Sequence, residues 1–114
     1  MIKDSVYLKH ILDTIADLEK FLKGVSEENF FKNREKQYAV LRALEIIGEA
    51  SKNLSSEAKV KSPDVDWKNI AGLRDKLIHA YFGVNLTLVW EILQRDIPEL
   101  KKQAQKLLDN FSTD

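Results

Sequence analysis

Apolar side chains recur along this chain at intervals of three and four residues, the spacing of helices that turn one face inward. Leu8, Ile11, Ile15, Leu18 and Leu22 form the first such stripe. Asp4 or Ser5 stands where that helix would be capped, and Gly24 where it would end. Ser26 opens a second helical stretch, with Glu27 and Glu28 in its first turn, where negative charge suits the helix dipole. The segment "NFFKN" (29–33) either forms a short turn or runs straight on. Val40, Ala43, Ile47, Ala50 and Leu54 repeat the spacing and predict a long helix over 33–54. Gly48 lies inside it, where glycine costs about 1 kcal/mol against alanine, so a close helix–helix approach is its expected reason.

"SPDVD" (62–66) interrupts the pattern, and Asp66 is placed to cap a short helix holding Trp67 and Ile70. Ile70, Leu73, Leu77 and Ala80 then make a buried stripe that "FGVN" (82–85) ends. Asn85 is positioned to cap the next helix, with Leu86, Val89 and Leu93 inward. Pro98 either kinks that helix or starts a new one after Asp96. Ile97, Leu100, Ala104, Leu107 and Phe111 continue the helical spacing. No stretch alternates apolar and polar residues as a strand does. The expectation is an all-α fold, an antiparallel bundle of four to six helices, in one domain over 1–114. Phe30, Phe31 and Tyr38 read as packing residues; Trp67 and Trp90 read as core or interface anchors in preference to base-stacking platforms.

Composition narrows the function. The 114 residues include 18 basic and 18 acidic side chains, so no global positive field exists and nucleic-acid binding would need a local patch. The absence of cysteine excludes disulfides, thiol nucleophiles and thiolate metal sites. The first residues carry no apolar signal region, and no apolar run nears the roughly 20 residues of a membrane span. A soluble, cytoplasmic protein is expected, with no membrane association. No phosphate-cradling glycine loop, zinc-binding H-E-x-x-H or paired glycosidase carboxylates occur, and no metal or other cofactor is expected.

One cluster stands apart. "GLRDKLIHAYFGVN" (72–85) crowds Arg74, Asp75, His79 and Tyr81 into eight positions. Arg74 and Tyr81, seven apart, fall nearly in line about two turns from each other. Arg74 and His79, five apart, are roughly 140° around a regular helix and about 7.5 Å along it. They do not meet within one such helix. Either the helix ends near His79, or the side chains meet across an interface with a second copy. The chemistry suits a phosphodiester. Arginine forks two hydrogen bonds onto a phosphate, and histidine exchanges protons near neutral pH. RNA brings its own nucleophile in the 2′-hydroxyl, so cleaving it requires neither a metal nor a protein nucleophile. Spacing alone favours the plainer reading, because an arginine and a histidine five apart on a helix are a common accident: surface decoration, with Asp75 paired to a nearby cation and Tyr81 half-buried.

The segments "YAVLRALEIIGEASKNLS" (38–55), "DWKNIAGLRDKLIHAYFGVN" (66–85) and "LVWEILQRDIPEL" (88–100) resemble the HepT-like branch of the HEPN superfamily. The resemblance runs from about residue 5 to 105. Its most specific element is R-x-x-x-x-H-x-Y, here Arg74, His79 and Tyr81, supported by "IIGEA" (46–50) and W-x-x-I-x-G-x-R (67–74). It implies a helical HEPN-like bundle that forms a homodimer, with the motifs of two protomers facing a shared cleft. It implies a metal-independent endoribonuclease acting on RNA, with no DNA substrate expected. It further implies the toxin of a toxin–antitoxin pair. The partner would be an MNT-type nucleotidyltransferase antitoxin, which silences the toxin by AMPylation of the motif tyrosine.

Carried onto this chain, the resemblance makes Arg74 and His79 catalytic and Tyr81 the AMP acceptor. Asp75 fills the polar position beside the arginine, where it would orient Arg74 or His79. Arg42 and Glu49 form part of a charged stripe with Glu45 on the second long helix. They either line the cleft or form a solvated face with an Arg42–Glu45 pair. Lys68 and Lys76 flank the motif, as guides for the RNA backbone or as plain surface lysines. His10 has no evident partner and reads as exposed. The alternative function is a non-catalytic binding module that partners a nucleotidyltransferase; a purely structural bundle that dimerises through this surface is a third.

Overall fold

The computed structural model describes residues 2–73, 75–77 and 85–112. Among them the regular structure is all helix, with no strand. Three helices are long: α1 (Ile2–Leu22), α3 (Arg34–Lys52) and α7 (Ile97–Ser112). Four are short: α2 (Glu27–Lys32), α4 (Ser56–Val60), α5 (Trp67–Ala71) and α6 (Leu86–Glu91). The all-α expectation is met.

Side-chain caps set most of the boundaries. The oxygens of Ser26, Asn33, Ser55, Asp66 and Asn85 each accept a hydrogen bond from the backbone N–H three residues on, at 3.0–3.1 Å. Each satisfies a donor that a helix start would otherwise leave unpaired. "NFFKN" is neither a turn nor a continuous run: residues 29–32 finish α2, and the break falls at Asn33 alone. Asn33 ends α2 through its own N–H to the Phe30 carbonyl, and its side chain starts α3. Gln37 Nε2 then donates to the carbonyls of Phe30 and Phe31, tying the end of α2 to α3. The Ser55 cap creates α4, a helix of five residues that is too short to show a period in the sequence.

Helix α1 lies between α3 and α7 and contacts both. Its start meets residue 55, just past the end of α3, and its Glu19 pairs with Lys101, near the start of α7, at 2.8 Å. Both neighbours therefore run antiparallel to α1. Leu8, Ile11, Ile15 and Leu18 are buried against Val40, Leu44 and Ile47 of α3 and Leu100, Ala104 and Leu107 of α7 in one core. Each such leucine or isoleucine contributes about 1.5–3 kcal/mol of burial. Leu22 and Phe111, at the ends of their stripes, are only half-buried.

Two expectations change, and an open one is decided. Asp4 does not cap α1, which begins at Ile2; its carboxylate is buried and accepts from the Ser55 N–H at 2.9 Å and the Ser55 hydroxyl at 2.7 Å. Phe31 and Tyr38 do not pack in the core but are exposed, Tyr38 more than half so, while Phe30 is fully buried. The phase of α3 decides this: Val40 and Leu41 take the inner face, and residue 38 falls on the outer one. Around Pro98 a new helix does start after Asp96, joined to α6 by a π-helical turn over Ile92–Asp96. Proline lacks an N–H and its ring crowds the carbonyl four residues back. The wider turn, with Ile97 N–H bonded to the Ile92 carbonyl, accommodates it without breaking the run.

Candidate nucleic-acid interface

The motif is delivered by the turn that follows α5. Asp66 caps that helix, and buried Trp67 fixes it by donating its indole N–H to the Ser62 carbonyl at 3.1 Å. Gly72 closes it: its N–H bonds the Lys68 carbonyl at 3.0 Å. The Gly72 carbonyl in turn accepts from Lys76 N–H at 3.2 Å, the first helical bond of the next segment. Gly72 is thus the joint between α5 and the motif. That role was not among those expected of it; its signal is a glycine two positions past Ile70, the last inward residue of the short helix. Leu73 and Leu77, four apart, are buried, and Asp75 and Lys76 face solvent. The expected stripe of Ile70, Leu73 and Leu77 is present. Arg74, His79, Ala80 and Tyr81 lie outside the described residues.

The floor under this joint is α3. An ideal Cβ built on Gly48 would stand 3.2 Å from the Ile70 carbonyl oxygen, 3.5 Å from Leu73 Cβ and 3.6 Å from the Ala71 carbonyl oxygen. The close approach expected of Gly48 is therefore made to the backbone that leads into the motif. On the outer side of α3, Arg42 Nη1 donates to Glu45 Oε1 at 3.0 Å, the pair the solvated-face reading anticipates. Arg42 and Glu49 are exposed, as is Lys68 on α5. Lys68, Asp75 and Lys76 give the segment entering the motif two cations and one acid at the surface, a local charge source that the neutral whole does not have.

The two tryptophans hold structure. Trp67 is buried, and half-buried Trp90 packs its ring 5.5 Å from the ring of Phe30. His10 is exposed on α1, as expected. Among the described residues no three histidine or acidic side chains converge as a metal site would require, and no helix is long and apolar enough to cross a membrane.

A family model described as Ribonuclease HepT-like matches residues 11–107. A protein of Caldanaerobacter subterraneus subsp. tengcongensis named "Putative RNase TTE0752" is 51% identical over 102 residues, covering 90% of this chain and 91% of that protein. One of Thermococcus cleftensis named "Probable ribonuclease HepT" is 46% identical over 101 residues, 89% of this chain and 92% of its own length. A third, from Methanocaldococcus jannaschii and named "Putative RNase MJ1216", is 43% identical over 105 residues, covering 92% of this chain and 87% of that protein. No solved structure matches the chain.

Proposed function

The chain belongs to the Ribonuclease HepT-like family, and from that premise we propose that it is a metal-independent endoribonuclease toxin held in check by AMPylation. The observation that carries the reading is the complete R-x-x-x-x-H-x-Y of Arg74, His79 and Tyr81, lying inside a family match that spans most of the chain.

In the proposed reaction Arg74 binds the scissile phosphate and offsets the charge that builds on it. The ribose 2′-oxygen attacks phosphorus and gives up its proton to a base. The bond from phosphorus to the 5′-oxygen breaks, and that oxygen takes a proton. His79 serves these transfers, because its charge changes near neutral pH. The products are a 2′,3′-cyclic phosphate and a free 5′-hydroxyl. Asp75 orients Arg74 or His79. Since residues five apart do not converge on one regular helix, the reading includes a homodimer whose two motifs share a cleft, with Arg42, Glu49 and Lys76 along it.

Silencing follows from charge and bulk. An MNT-type nucleotidyltransferase partner, encoded as the antitoxin, joins the Tyr81 phenol oxygen to the α-phosphorus of ATP. Pyrophosphate leaves and the phenolic proton is released. The new phosphodiester competes for Arg74, and the adenosine fills the cleft.

The test is cleavage of total RNA by unmodified protein in EDTA, beside Arg74→Ala and His79→Ala. Wild-type cleavage with 5′-hydroxyl ends, lost about 100-fold or more in both variants, is the expected result. A folded wild-type dimer that cleaves nothing would reject the nuclease. Tyr81→Phe should cleave and resist silencing; if the nucleotidyltransferase still silences it, the acceptor lies elsewhere.

A further inference from the structure

Gly48 has no side chain to bring to any reaction, yet it touches the backbone that leads into the motif. We propose that Gly48 is a positioning residue for cleavage: its missing Cβ sets how closely the Arg74-bearing segment seats on α3. The inference rests on the ribonuclease reading.

The atoms at stake are mostly backbone. The nearest neighbour of a Cβ on Gly48 would be the Ile70 carbonyl oxygen at 3.2 Å, with the Ala71 carbonyl at 3.6 Å. A carbonyl in a helical turn cannot rotate aside as a side chain can. An added methyl at that distance moves the segment by a few tenths of an ångström. The direction of movement is constrained as well. Upstream, α5 is held by the Asp66 cap and by the Trp67 bond to Ser62. Downstream comes Gly72, a joint with no Cβ, and then Leu73, whose Cβ is the third atom in contact, at 3.5 Å. Displacement is therefore passed toward Leu73 and its covalent neighbour Arg74. Glycine is also the poorest ordinary helix former, and Gly48 sits in the interior of α3. Packing, not helix propensity, accounts for it. Reaction rates depend on reacting groups held to a fraction of an ångström, and a misplacement of about 1 Å can cost about 100-fold.

A purely structural glycine and a positioning one give different results. Gly48→Ala gains helix propensity while it crowds the Ile70 carbonyl, so the two effects on stability oppose each other. The experiment compares wild type, Gly48→Ala and Ala71→Gly. Each is measured for kcat and KM on a labelled single-stranded RNA oligonucleotide in EDTA, for thermal midpoint and for oligomeric state. Gly48→Ala is expected to melt within about 4 °C of wild type, with kcat about tenfold lower and KM within about twofold. Ala71→Gly keeps the carbonyl that faces Gly48 but frees the backbone that carries it, and is expected to lower kcat in the same way, so the test survives if Gly48→Ala does not fold. Unchanged kcat in the folded variants overturns the proposal. So does a loss that merely tracks the fraction of unfolded protein. An inactive wild type rejects the ribonuclease reading itself, whatever the variants do.

Discussion

Asp4 shows how much one side chain can hold together. Its buried carboxylate takes both the N–H and the hydroxyl of Ser55, while the same hydroxyl accepts from Ala58 N–H to start α4. Hydrogen bonds to a charged group are worth about 1.5–3 kcal/mol each, and their loss leaves donors unpaired. Asp4→Ala should therefore lower the unfolding free energy by about 2–3 kcal/mol in a urea titration. Paired with Ser55→Ala in a double-mutant cycle, it should show strong coupling; additive effects would mean the bond carries no weight. Tyr38 is the opposite case. Its hydroxyl accepts from Arg34 Nη2 at 2.9 Å on an exposed face, so Tyr38→Ala should shift stability by no more than about 0.5 kcal/mol. Neither result was legible in the residue type. An acid near a chain start looks like a cap and an aromatic looks like core, until the partner 51 positions away and the phase of α3 decide.

At the scale of elements, stops and starts were more readable than spans. Gly24 was expected to end a helix, and it adopts φ 73°, the left-handed conformation that side chains disfavour. Beyond its own chain neighbours, no atom lies within 4 Å of where its Cβ would be, so only backbone strain opposes a substitution. Gly24→Ala should cost about 1 kcal/mol and Gly24→Asn clearly less, as measured by chemical denaturation. Equal costs would point to packing instead. Asp66 and Asn85 were legible as caps because a polar residue before an apolar run has few other uses. The five-residue α4 and the π-helical turn were not legible. The first is shorter than any periodic signal, and the second depends on how Pro98 resolves a clash that sequence alone leaves open. For the candidate site, Arg74, His79 and Tyr81 stand as a motif of the sequence alone; the inward neighbours Leu73 and Leu77 were legible as a buried stripe. The seat of that segment on α3 was only half so. Gly48 announced a close approach but not that carbonyls of α5 would be what it approaches.

Across the whole molecule, stability resides in the sandwich of α1 between α3 and α7. Leu18→Ala, in a site 2% exposed, should cost about 2–5 kcal/mol. Lys101→Ala, which removes the solvent-exposed pair with Glu19, should cost less than about 1 kcal/mol and lose even that in high salt. Urea midpoints of the two variants at low and high ionic strength test both statements. The ranking also says what the surface charges are for. Eighteen cations and eighteen anions give a chain whose long-range field nearly cancels, so the few charges beside the motif, Lys68, Asp75 and Lys76, act locally.

The bond between Asp4 and Ser55 has a consequence in time. A ribosome adds about 5–20 residues each second. When α1 leaves the exit tunnel, Leu8, Ile11, Ile15 and Leu18 have nothing to cover them. Ser55 follows seconds later, and the α7 residues that complete the core come last. For that interval the nascent chain carries a naked greasy face, the kind of surface that holdase chaperones grip. Among the described helices, α1 is made first and waits longest for its partners.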